Sequence, residues 1–259
     1  MNFDGAAFSI VWPALLAGLL VTATHVPMGI QVLKRGIVFI DLAVAQIAGL
    51  GVIVADRLGF EPQGVAVQVA ALGAAICGAL LLHWTDKRWP EVQEAVIGVS
   101  FIVAANAAIL LLATNPHGAE NLKDLLVGQI LWADPRRLAI VAAVYAAILA
   151  LWFGIGERAG RISDIWHARF YLLFAVAVTA SVQLVGVYLV FTTLIVPALA
   201  TRRFARGRLL VGYALSATSY ALGLGLSLTT DMPPGPLIVC TMAVMGFALF
   251  LIFRPQAPT

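Results

Sequence analysis

Charge is scarce in this sequence. Of its 259 residues only 11% are Asp, Glu, Lys or Arg, while 61% are hydrophobic. A soluble domain carries about 25% charged residues, so a water-exposed globule is excluded and an integral membrane protein is implied. Cysteine is nearly absent too. The two present, Cys77 and Cys240, sit inside apolar runs and supply neither a disulfide framework nor a metal motif. There is no nucleotide-binding loop, no nucleophile elbow and no HExxH zinc motif. No second acid lies within a helix to pair with Asp41 for intramembrane proteolysis. An enzyme is therefore not expected, nor is nucleic acid a partner for a net charge of +3 spread over membrane loops. The first apolar run lacks a basic n-region ahead of it, so we read it as a permanent span.

What is present is a succession of apolar runs at about 8–33, 37–55, 64–84, 92–114, 138–155, 170–189, 190–201, 209–229 and 235–253. The fold expectation is all-α, a polytopic membrane protein of about nine helices forming one transmembrane domain over 1–259. The run 170–201 is split because one helix of that length would measure about 48 Å against a core of about 30 Å. Gly186 and Pro197 interrupt it. The polar segment 115–137 is expected to hold a short helix near 121–131 at the outer surface. An N-terminus placed outside puts twelve of the sixteen Lys and Arg residues in inner loops. That bias predicts N-out and C-in in a plasma (inner) membrane.

Asp41, in "VFIDLAVAQIAGLGVIV" (38–54), is the polar residue hardest to place in lipid. An acid at the centre of a spanning helix costs roughly 2.5–3.5 kcal/mol on insertion scales. Lys34, seven residues back, offers an ion pair. The alternative is a point on an ion or substrate path. A hairpin of the first two helices turning at Arg35–Gly36 would let His25, Asp41 and Gln46 face one cavity. Asp and His are metal ligands, although a lone His in an apolar helix also serves as a packed, hydrogen-bonded residue. Pro27 and Gly29 below His25 suggest a kink or gate. Gln68, Asn106, Gln183, Thr192 and Thr193 are expected to bond between helices.

Several stretches, in order, carry a family resemblance: "VLKRGIVFIDLAVAQIAG" (32–49), "EAVIGVSF" (94–101), "LLVGQIL" (125–131), "VGVYLVFTTLIVPALA" (185–200) and "LSLTTDMPPGPLIV" (226–239). Together they resemble the permease subunit of the zinc/manganese/iron family of ATP-binding-cassette (ABC) importers. The resemblance implies a permease fold related to the cobalamin and siderophore importers. It also implies a homodimer, a cytoplasmic ATPase on a separate chain where ATP is hydrolysed, and an extracytoplasmic metal-binding protein. The transported divalent metal would be the cargo, with no cofactor held by this chain. The basic segment after Pro197, with Arg202, Arg203, Arg206 and Arg208, is implied as the ATPase docking element. The loop 156–169 is a second contact.

The sequence departs from the family at two informative points. The family's second helix reads Asp-x-x-x-His; here Asp41 is retained and the His position is Ala45. The acid of its "GDIL"-like motif is Gln129. Either His25 supplies the missing ligand, with Gln46 and Ala45 lining the pathway, or the cargo is held weakly or differs. An ion-coupled transporter or channel using Asp41, and an ABC permease for a non-metal cargo, remain the alternative readings.

Overall fold

The computed structural model describes residues 5–61, 64–112, 118–156, 164–204 and 206–253. Among these, ten α-helices follow one another: α1 (Gly5–Arg35), α2 (Ile40–Arg57), α3 (Val65–Arg88), α4 (Gln93–Leu112), α5 (Gly118–Val127), α6 (Pro135–Gly156), α7 (Asp164–Val185), α8 (Val187–Ala200), α9 (Arg208–Thr230) and α10 (Pro234–Ile252). Two 3₁₀ turns, Pro90–Val92 and Ile130–Trp132, complete the described elements. The nine expected helices are all formed, and α5 is the short additional helix expected near 121–131. Seven helices are long and apolar enough to cross a bilayer. Of the other two, α2 has 18 residues but holds Asp41, Asp56 and Arg57, and α8 has only 14.

The helices sort into an inner and an outer set. α1 packs on α8 and α9, with α6 and α7 alongside; α2 lies between α3 and α4 and reaches α7 and α8. In α1 and α7, 61% of the spanning window is buried, against 17% in α6. The outer helices turn Val65, Val69, Leu110, Ile140, Val244 and Phe247 outward, fully or largely exposed. Apolar side chains in that arrangement need lipid around them.

The long 170–201 run breaks where glycine allows it. Gly186 has φ 83 and ψ 161, a region that only glycine occupies without strain. Pro197, by contrast, does not interrupt: α8 runs through it to Ala200. The turn at Gly186 is pressed against the end of α5. A Cβ on Gly128 would strike the backbone of Val185 and Gly186, and one on Gly186 would strike Val127 and Gly128. Gly235, near the start of α10, stands against the Val127 carbonyl, where a Cβ would lie 2.8 Å away. Three glycines thus let α5, the α7–α8 turn and the head of α10 meet backbone to backbone.

α1 also corrects an expectation. Its 31 residues run unbroken through Pro13 and Pro27. Gly29 is there for contact, since a Cβ would collide with the Leu194 carbonyl of α8. Helices α1 and α2 join at a turn in which Gly36 has φ 73, but they then pack mainly on different helices, α1 on α8 and α9 and α2 on α3 and α4. The hairpin expected from the sequence is not a packed pair.

Candidate functional site

α2 begins just after the Gly36 turn, so Asp41 is its second residue. It therefore lies in the first turn, where free backbone N–H groups and the helix dipole favour negative charge. Asp41 is fully buried, and neither carboxylate oxygen has a hydrogen-bond partner. The Lys34 ion pair weighed from the sequence is thus not formed. A buried polar group without a partner is a costly exception in proteins.

The residues above Asp41 on the same face are Ala45, Ala48 and Gly49, at intervals of four, seven and eight. All three are buried. Gly49 meets α5, where a Cβ would approach Leu125 Cδ2 to 2.6 Å. A strip of small side chains therefore leads from α5 along α2 to the carboxylate. Ala45 is packed in the apolar core of the bundle. Gln46 is buried as well, and its Oε1 lacks a partner. Five residues past Asp41, it points about 140° away around the helix.

A second acid stands at the foot of α2, and the sequence reading missed it. Glu94, in the first turn of α4, accepts a hydrogen bond from the Phe39 backbone N–H at 3.3 Å, while its Oε2 is buried with no partner. Phe39 precedes α2 and has no side-chain cap of its own, so Glu94 supplies that cap from another helix. The available signal was an acid opening an apolar span inside "EAVIGVSF".

His25 is occupied elsewhere. Its Nδ1 lies 3.0 Å from the Val21 carbonyl and 3.0 Å from Thr24 Oγ1. A carbonyl only accepts, so Nδ1 carries the proton and Nε2 is left as an acceptor. Nε2 faces Ser181 Oγ at 3.3 Å. Ser181 Oγ has one proton, shared between Nε2 and the Ala177 carbonyl at 2.6 Å, and it makes a short contact to the Tyr145 hydroxyl. The imidazole thereby ties α1 to α7 and, through Ser181, to α6. It lies ten residues, about 15 Å of helix, before the end of α1. The structure does not bring His25 and Asp41 into a common contact. Among the described residues no three His, Cys, Asp or Glu side chains converge on one point.

Of the polar residues expected to bond between helices, Thr193 does so, reaching Tyr220 at 2.9 Å. Thr192 and Asn106 instead bond carbonyls of their own helices. Gln68 and Gln183 line a groove of about 410 Å³ with Arg137. Gln129 donates to Asp124 at 2.8 Å.

The basic segment after α8 is built around its own latch. Thr201 Oγ1 donates to the Pro197 carbonyl at 2.6 Å and closes the helix. Arg208 Nη2 donates to the Ala198 carbonyl at 2.8 Å, which folds the loop back on α8. Arg202, Arg203 and Arg206 are exposed, and the first two hold their guanidinium groups 5.2 and 4.3 Å from the Phe250 ring. Within the loop 156–169, residues 157–163 lie outside the described residues.

Comparison with known proteins follows the same lines. The profile of the ABC 3 transport family matches residues 7–158 and 157–253. The high-affinity zinc uptake system membrane protein ZnuB of Haemophilus influenzae is 25% identical, covering 94% of this chain and 98% of its own. The manganese transport system membrane protein MntC of Halalkalibacterium halodurans is 24% identical, covering 96% and 90%. Among solved structures, PsaBC from Streptococcus pneumoniae in complex with Fab superposes with a TM-score of 0.73 at 20% identity, over 96% of this chain and 92% of that one.

Proposed function

The chain belongs to the ABC 3 transport family, and we propose that it is the permease through which a divalent metal ion, zinc, manganese or iron, crosses the bilayer. The observation that carries this reading is Asp41, fully buried with both oxygens unpartnered. A carboxylate kept in that state has a use for its lone pairs, and a passing cation supplies it. The strip Ala45, Ala48 and Gly49 is the approach to it along α2. One carboxylate with waters holds a cation loosely, and a conducting site must release what it binds.

Energy for the movement comes from an ATPase on a separate chain that docks at the exposed arginines 202, 203 and 206. A binding protein delivers the ion from the other side, and two copies of the permease form the unit. With seven long spans together with α2 and α8, the crossings number nine, so the two termini face opposite sides, the N-terminus outside and the C-terminus in the cytoplasm in this reading. The distribution of twelve basic residues to inner loops supports this orientation.

The test is metal content of cells under chelation, expressing the chain with its ATPase and binding protein. Asp41→Asn is expected to lower uptake of one metal by about tenfold or more, the scale of a lost charge-assisted contact. Unchanged uptake would remove Asp41 from the path. His25→Ala is the second arm: a loss of uptake with the fold intact would restore His25 as a ligand. Ala45 favours one competing reading, a non-metal cargo. That reading gains if no metal changes while the ATPase still assembles with the chain.

A further inference from the structure

Between α8 and α10 runs a groove of about 400 Å³, within the range of ligand pockets (roughly 300–1,000 Å³). Its walls are Val196 and Leu199 on α8 and Ala243 and Phe247 on α10, with Arg202 and Phe250 at one end. Gly246 sets its depth: a Cβ there would meet Val196 Cγ1 at 2.5 Å, so the helices are in contact at the floor. Leu199, Ala243 and Phe247 are exposed on the outer flank.

The groove is not apolar throughout. Its loop end carries two exposed guanidinium groups, Arg202 and Arg203, both held against the face of Phe250. Stacking on a ring fixes a guanidinium while leaving its five N–H donors to face outward. The result is an apolar slot along two spanning helices, closed at one end by a pair of oriented cations. That is the charge and shape of a phospholipid: acyl chain below, phosphate above.

We propose that this groove is a binding site for an anionic phospholipid of the cytoplasmic leaflet, with an acyl chain along α8 and α10 and the phosphate on Arg202 and Arg203. The inference rests on the orientation proposed above, which puts the 201–207 loop on the side where anionic lipids attract basic residues. A soluble ATPase reaches the arginines but not a slot lying along spanning helices. The lipid would then sit directly beside the docking loop and hold its first two arginines in place.

The experiment uses the full chain, purified with its ATPase and placed in nanodiscs of phosphatidylethanolamine doped with cardiolipin, phosphatidylglycerol or phosphatidylcholine. Lipid retained after release is counted by native mass spectrometry. Retention of the anionic lipids over phosphatidylcholine is expected. Arg202→Gln with Arg203→Gln should lower it about fivefold per arginine, and so about twenty-fivefold together. Ala243→Phe, at an exposed wall position, fills the slot and leaves both arginines; it should lower retention while the ATPase still co-purifies. Equal retention of anionic and zwitterionic lipid would overturn the proposal. So would unchanged retention in Ala243→Phe, or loss of the dimer with retention intact, which would assign the groove to a second copy. Labelling of Arg206→Cys by a membrane-impermeant maleimide reads the orientation separately, so failure of that premise is distinguished from failure of the site.

Discussion

The carboxylate of Asp41 sets function against stability at a single residue. Buried acid without a partner is costly, and the cost is greatest where water is absent. Asp41→Asn removes the charge while keeping the shape. The expected outcome is a protein that transports less and melts higher in detergent, by a margin of about 1–3 kcal/mol from the relieved burial. Thermal unfolding beside metal uptake checks both signs, and a variant that lost both would make Asp41 a structural residue. His25 should behave in the opposite way. It bridges α1 to Ser181 of α7, so Ser181→Ala and His25→Ala should each destabilise by about 1 kcal/mol, and the double variant by less than the sum. Asp41 was legible in the sequence because an acid in an apolar run stands out. Glu94 was not, because its role as a cap for Phe39 depends on a contact 55 residues away.

At the scale of elements, the junction of α5, α7, α8 and α10 is held by backbone contact rather than by side chains. Gly186→Ala would place a methyl group in a backbone region costing roughly 1–3 kcal/mol before the collision with α5 is counted. Melting temperature should fall well below that of Gly225→Ala, where a Cβ meets nothing within 4 Å. The basic loop offers a second contrast. Arg208 is turned back onto the Ala198 carbonyl, whereas Arg202 and Arg203 face outward. Arg202→Glu with Arg203→Glu should weaken co-purification of the ATPase with little change in melting. Arg208→Ala should lower melting as well, because it opens the loop. The helices themselves were readable from apolar length and from Gly186. The equal weight given to Pro197 was misplaced. Pro197 costs α8 the backbone bond to the Thr193 carbonyl, and the helix ends three residues later at Ala200, so it runs through the ring.

For the whole molecule, the inner set of α1, α2, α7 and α8 is surrounded by the more exposed α3, α4, α6, α9 and α10. The proposed orientation rests on the distribution of loop charge, and it can be read directly. With Cys77 and Cys240 replaced by serine, Arg206→Cys should label only from the cytoplasmic side and Asp231→Cys, at the other end of α9, only from outside. The reverse pattern would invert the molecule and with it the direction of transport. The sequence by itself determined the membrane class, the succession of apolar helices and the short helix near 121–131. Hydrophobic length and loop charge are local properties, and the bilayer reads them one segment at a time. Only the tertiary structure decided which helices touch. It gave His25 hydrogen-bond partners on α1 and α7, left the Asp41 carboxylate without a partner, and brought Glu94 to the foot of α2. In lipid, association rests on close packing between particular faces, and the identity of a facing helix is not written in the periodicity of either one.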